Sequence, residues 1–252
     1  MLKSRIITTM LWNGTTLVKG HQFNNSRRAG SPITTIKIYN KRDVDEIIFL
    51  DINKTNSLEE NIDIEFYKEL SNECEVPITI GGGIKNINDI DDLLISGADK
   101  IVINSELYSN SNLLNEASNK FGSQTIVVGI DFKKINGEYK CFKNSGKEIV
   151  HKDPKKWANE CVNRGAGEII LTSIDNDGLM KGYDNNLIKE ISSEVDIPIV
   201  ASGGAGNYQH MFEALSYGAS AVAAASIYHF TEQTPIQAKR YLQSKNINVR
   251  KS

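Results

Sequence analysis

Asp131 ends the apolar run Thr125-Ile126-Val127-Val128-Gly129-Ile130-Asp131. A carboxylate at the C-terminal end of a buried strand can serve as a general acid or base when its surroundings tune its pKa to the step. The structural alternative is a helix N-cap or a loop hydrogen bond, both common for Asp. Asp51 and Asp177 stand at comparable strand ends, which makes the same rim acidic. Anion chemistry lies beside it. Gly81-Gly82-Gly83 and Ser202-Gly203-Gly204-Ala205-Gly206 each follow a strand-like run and precede a helical pattern, where backbone N–H groups and the helix dipole favour a phosphate. Asn104-Ser105 and Ala225-Ser226 close the next run in each case. Two such clamps imply a ligand with a phosphate at each end, whereas one glycine cluster alone would read as a tight turn. Asp177-Gly178, followed by Gly182-Tyr183-Asp184, adds a shaped turn suited to ordering on a ligand. Lys19 lies in a polar loop within reach of a phosphate or a reacting oxygen, although such lysines are usually solvated.

A different constellation marks the opposite strand ends. Arg5, Glu46, Lys100 and Glu168 each open a strand, with alternating sign and one per alternate strand, a pattern that closes a ring across a barrel floor. Buried in such a ring the charges must pair, because unpaired buried charges are strongly destabilising.

The elements that position these groups repeat. Pro77-Ile78-Thr79-Ile80-Gly81-Gly82-Gly83 lines up with Pro198-Ile199-Val200-Ala201-Ser202-Gly203-Gly204, Gly97-Ala98 with Gly218-Ala219, and Ser105 with Ser226, each at an offset of 121. At nearly the same offset, Leu11 stands where the second half has Asp131. Half-barrels of about 1–121 and 122–252 follow, within one domain spanning 1–252. Apolar runs near Arg5–Leu11, Glu46–Asp51, Pro77–Gly81, Lys100–Asn104, Thr125–Asp131, Glu168–Ser173, Pro198–Ser202 and Ser220–Ala225 predict eight strands, apolar throughout as buried parallel strands are. Helical spacing appears between them, as in Ile62, Phe66 and Leu70, then Ile87, Ile90, Leu93 and Leu94, then Met211, Phe212 and Leu215. The fold class is therefore α/β, a (β/α)8 TIM barrel with a two-fold half-barrel repeat, over the alternative of an open doubly wound sheet. Two long connections interrupt the pattern. Trp12–Ser31 reads as a flexible lid, and Phe132–Val150 carries the hairpin signal Asn136-Gly137.

Composition limits the partners. With 29 basic and 31 acidic side chains among 252 residues, no electrostatic footprint for nucleic acid or membrane exists. The three cysteines lack a C-x-x-C pair, so neither a zinc site nor a disulfide framework is indicated. No apolar run approaches the roughly 18 residues of a membrane span. A soluble cytoplasmic protein is expected.

These residues together resemble the cyclase subunits of imidazole glycerol phosphate synthase. The most specific pieces are Leu171-Thr172-Ser173-Ile174-Asp175-Asn176-Asp177-Gly178 with Gly182-Tyr183-Asp184, Ala201-Ser202-Gly203-Gly204-Ala205-Gly206, Phe121-Gly122-Ser123-Gln124 and Gly97-Ala98-Asp99-Lys100. The resemblance runs from Met1 to Asn248-Val249-Arg250. It implies a barrel that binds a glutaminase subunit on its bottom face, Asp99 included, as a heterodimer without cofactor or metal. Ammonia would enter through Arg5, Glu46, Lys100 and Glu168 and travel along the axis to a phosphorylated substrate. Family catalysis uses two strand-end aspartates, and this chain matches the strand-5 aspartate with Asp131 but has Leu11 on strand 1. A leucine transfers no protons, and losing a positioned acid or base costs about 10² to 10⁴ in rate. The pattern resembles cyclase-subunit paralogues of bacterial surface-polysaccharide pathways, which pass ammonia to a sugar amidotransferase. A working cyclase and a two-phosphate sugar isomerase are the competing expectations.

Overall fold

Eight runs of Ile, Val, Leu and Ala form parallel strands because both faces of each are covered, one by helices and one by the barrel's own interior. The computed structural model describes residues 3–53 and 62–250. The strands are β1 (Arg5–Trp12), β2 (Leu17–His21), β3 (Asn24–Gly30), β4 (Glu46–Asp51), β5 (Ile78–Gly81), β6 (Lys100–Ile103), β7 (Ile126–Ile135), β8 (Glu138–Lys143), β9 (Glu148–Val150), β10 (Glu168–Ser173), β11 (Ile199–Ser202) and β12 (Ala221–Ala224). The helices are α1 (Pro32–Lys41), α2 (Ile64–Asn72), α3 (Ile87–Ile95), α4 (Asn112–Phe121), α5 (Pro154–Asn163), α6 (Asn185–Ser192), α7 (Tyr208–Ser216), α8 (Ser226–Phe230) and α9 (Pro235–Ser244). Pairing runs β1–β4–β5–β6–β7 and β10–β11–β12–β1, and β10 also pairs with β7, which closes the cylinder. The open doubly wound alternative is thereby excluded.

Two cores result. An outer one lies between strands and helices and includes Ile6, Ile47, Ile101 and Leu187. An inner one packs inside the cylinder, formed by Ile7, Ile48, Val102, Val127, Ile170, Val200, Ala221 and Ala223. The repeat extends into local detail. Asp63 caps α2 by accepting from Phe66 N–H as Asp184 caps α6 by accepting from Leu187 N–H, and Asn86 and Asn207 cap α3 and α7. Side-chain caps at such positions each stabilise a helix by about 1 kcal/mol.

The two long connections are hairpins. β1 continues past the barrel to Trp12, and its protruding edge pairs with β2, Leu11 opposite Val18; β3 then folds back on β2. The expectation of a lid that is loop throughout is corrected accordingly, since the exposed edge of β1 offers unpaired backbone groups that Leu17 and Val18 satisfy. The second ribbon runs from β7 into β8 and β9, turning at Asn136 (φ 50°) and Gly137 (φ 86°), the pair of left-handed residues that a two-residue hairpin of this hand requires. No helix among the described residues is long and apolar enough to cross a membrane.

Candidate functional site

The floor of the cylinder is an ion-pair ring. Arg5 Nη1 lies 2.6 Å from Glu46 Oε2 while its Nη2 contacts Glu168, and Lys100 Nζ lies 2.7 Å from Glu168 and 3.2 Å from Glu46. Signs alternate around the circuit, as expected. The spacing does not: the four residues open barrel strands one, two, four and six, so Arg5 adjoins Glu46 instead of standing one strand away. Thr79, on the strand between β4 and β6, completes the circuit by donating its hydroxyl to Glu46 Oε1 at 2.8 Å. Both glutamates are almost fully buried. Burial alone would raise the pKa of Glu168, but the Arg5 and Lys100 contacts outweigh it and hold that carboxyl below its ordinary value. Burial would likewise lower Arg5, and Glu168 and Glu46 reverse the effect.

Above the ring the axis is apolar and partly open. A cavity of about 280 Å³ reaches from the mouth down to Ile48, Val102, Ile170 and Ala223. Ile48, Val102 and Ile170 each stand two residues beyond a ring member on the same strand, so the cavity ends on the layer directly over the charges. Small residues on β12 and at Gly129 leave this space.

At the mouth, β1 and β7 are four strands apart in either direction, which sets Leu11 and Asp131 on opposite walls of the cavity. Asn104 donates to Asp131 Oδ2 at 2.8 Å. Asp131 faces the cavity, where removal from bulk water pushes its pKa up to about 7; the Asn104 bond opposes this, the negative charge of Asp177 adds to it, and a Thr172 bond opposes it again. A carboxyl tuned near neutrality can both take and give a proton. Asp177 does not end a strand, as the sequence suggested, but lies in the turn beyond β10. There both its oxygens meet Lys19 Nζ, at 2.5 and 2.6 Å, in a pair with little solvent access. Lys19 is therefore buried, and the first hairpin is seated on the turn by this contact and by Gln22 N–H donating to Asp177 O at 2.8 Å. Asp51 also lines the cavity, but its carboxylate accepts from Asn53 N–H at 2.9 Å and from Tyr67 OH at 3.3 Å.

Asp131→Asn tests the tuning. A carboxyl whose folded pKa is raised contributes stability that is fully present below its unfolded pKa, about 3.9, and lost as pH rises through about 7. Relative to the parent, the Asn variant should gain stability between pH 5 and pH 8, by on the order of 1–3 kcal/mol. Urea melts at the two pH values measure it, and a constant difference would refute the tuning.

The glycine clusters line the same mouth. Gly82 and Gly83 (φ 115° and 70°) and Gly203 and Gly204 (φ 82° and 117°) adopt backbone that favours glycine, and a side chain on Gly82 or Gly203 would collide with the backbone of Asp51 or Ser173. Asn104, Ser105, Gly178, Ala225 and Ser226 line the cavity as well. Two of these side chains are already engaged. Asn104 is turned to Asp131, and Ser105 Oγ accepts from Asn144 N–H at 2.9 Å, fastening the second hairpin over the rim. Asn144 and Ser145, missed in the sequence, line the cavity too; the run of turn formers Asn144-Ser145-Gly146 was the available signal. Asp99 lies on the bottom face, exposed, with Oδ2 accepting from Ile78 N–H at 2.8 Å.

Fold and site together define a (β/α)8 barrel with a polar, glycine-rimmed mouth at the C-terminal strand ends, the location of active sites in enzymes of this class. The family model described as histidine biosynthesis protein matches residues 6–234, and the chain belongs to that family. Its relatives include the imidazole glycerol phosphate synthase subunit HisF of Chloroherpeton thalassium, 42% identical over 251 residues that cover 99% of this chain and 100% of the relative. The subunits of the same name from Endomicrobium trichonymphae and Dehalococcoides mccartyi are each 43% identical, over 99% of this chain and 96% and 99% of theirs.

Proposed function

We propose that the chain is the ammonia-channelling barrel subunit of a glutamine amidotransferase complex, acting in the cytoplasm. The observation that carries this reading is the closed ring of Arg5, Glu46, Lys100 and Glu168 beneath an apolar cavity that reaches down to the layer above it. A neutral molecule such as ammonia crosses such an axis at little desolvation cost, whereas an ion does not. The relatives are named as subunits of imidazole glycerol phosphate synthase, which supports a partner; the partner of this reading is a glutaminase docked on the bottom face around Asp99. Among the described residues, Leu11 stands opposite Asp131 where a second carboxylate would face it, and of the other two lining aspartates Asp177 is bound to Lys19 and Asp51 to Tyr67 and Asn53. The barrel then supplies ammonia for amidation of a sugar in surface-polysaccharide biosynthesis, by a separate sugar amidotransferase. The cradles of Gly82, Gly83, Asn104 and Ser105, and of Asp177, Gly178, Gly203, Gly204, Ala225 and Ser226, hold a phosphorylated small molecule.

A second reading, a working cyclase of histidine biosynthesis with Asp131 and Lys19 as its catalytic pair, draws support from the pKa of Asp131 near 7 and from the relatives' shared name.

Affinity capture of the tagged chain from its native cell extract should bring down a glutaminase. Asp99→Lys should weaken that association at least about tenfold, as like charges facing each other across an interface do. Asp99→Asn, which keeps an acceptor for Ile78 N–H, should weaken it less. An isomerase would associate with no glutaminase in either case.

A further inference from the structure

Lys239 has no exposed surface, a state rare for lysine unless the charge is paired. It sits on α9, with Nζ 2.7 Å from Asp45 Oδ1 and 3.0 Å from Asp43 Oδ2. The other oxygen of Asp45 accepts from Ile6 N–H at 2.8 Å, and Asp45 N–H donates to Ile6 O at 2.9 Å. Ile6 directly follows Arg5, and Asp45 directly precedes Glu46. The clamp thus joins β1 to β4 one residue away from each of two ring members that pair with one another. The flank on the other side of Arg5 is held as well: Ser4 N–H donates to Asn248 O at 2.8 Å, and Ser4 bridges to Val249. The C-terminal segment of the chain therefore holds Ser4 directly and Ile6 through Asp45. Asp99 pins Ile78 beside Lys100 in a similar way, without a lysine behind it, whereas Gly167 precedes Glu168 and has no side chain to do so.

A buried ion pair is a poor source of stability compared with apolar side chains of the same volume, and its best-attested use is to fix register. We propose that Lys239 and Asp45 are positioning residues for the Arg5–Glu46 pair, so that the C-terminal helix sets the geometry of the floor ring. The inference deepens the channel reading, which supplies the traffic through the ring, but the mechanical link is measurable without any partner.

The test is a double-mutant cycle in the full-length protein, with unfolding constants from denaturant melts of Lys239→Met, Glu46→Gln and the double variant. The double variant should depart from the product of the single effects by about fivefold or more. Effects that multiply to within about twofold, as they do for separated sites without shared partners, would overturn the proposal. Leu242→Ala, which removes buried packing from the same helix but no charge of the clamp, should multiply with Glu46→Gln; equal coupling there would mean that α9 acts only by packing, and would also overturn it. Should Lys239→Met fail to fold, Asp43→Asn, which trims only the partly exposed partner, replaces it in the cycle with the same criterion. Loss of glutaminase capture with the coupling intact sinks the channel reading and leaves the positioning role; a multiplicative cycle with capture intact does the reverse.

Discussion

Leu11→Asp should raise turnover of the ribulosyl substrate with two phosphates that the resemblance to imidazole glycerol phosphate synthase cyclase subunits implies, supplied with ammonium salt, by about 10²- to 10⁴-fold, the usual worth of a positioned acid or base. The parent should turn over slowly. The geometry favours the gain: Leu11 stands on the wall opposite Asp131 with the cavity between them, and aspartate is smaller than leucine, so no overpacking arises. A second carboxyl in the same enclosed mouth would push the two pKa values apart, as like charges sharing a site do. One group would then give protons while the other accepts them. Steady-state kinetics without a glutaminase measure the effect and remove any contribution from partner binding. A parent that already consumes this substrate at the normal rate of a cyclase subunit would refute the channel reading and establish the cyclase in its place.

Arg5→Met should destabilise the fold by about 3 kcal/mol at pH 7, at the low end of what breaking a buried pair costs because Arg5 keeps a quarter of its side chain in solvent. For a domain of this size that is a fall in Tm of about 6–12 °C. The cost lies in what remains, since Glu46 and Glu168 lose their shared guanidinium while staying almost fully buried. The pH dependence separates this from simple loss of packing. In the parent, Glu168 has a depressed folded pKa, so its stabilisation is present above the unfolded value of about 4.3 and is lost as pH falls through the folded one. In the variant, Glu168, left with Lys100 alone, takes up a proton more readily than in the parent. The gap between variant and parent should therefore narrow as pH falls below about 5. Calorimetric scans from pH 7 to pH 4 measure it, and a gap that widens on acidification would show that the ring does not hold these charges.

Much of this architecture was legible because it depends on local pattern. Each expected strand appears within a few residues of its place, with the largest difference at β7, which runs on to Ile135 because Phe132 to Ile135 pair with β8. Asn136-Gly137 announced that hairpin, but nothing local announced β2 and β3, whose pairing is dictated by the spare edge of β1. The cavity-lining positions of Asp131, the glycines and Ser226 followed from their places after strands. The partners of the polar side chains did not. Asn104 braces Asp131 and Ser105 receives a hairpin tip, contacts that stayed hidden because hydrogen-bond partners far apart in sequence leave no trace in composition or spacing. Lys239 and Asp45 were invisible for the same reason: a lysine on an amphipathic helix looks solvated until the fold places it over an aspartate from another strand.

The two ribbons at the mouth are each fastened to the rim by polar contacts, Lys19 to Asp177 in the turn beyond β10 and Asn144 to Ser105 beside β6. In a barrel fed from beneath, as proposed above, such a roof would make the interior an airlock. Ammonia admitted at the base would be held until those two catches open, so its delivery would be timed at the mouth and not by the rate of supply.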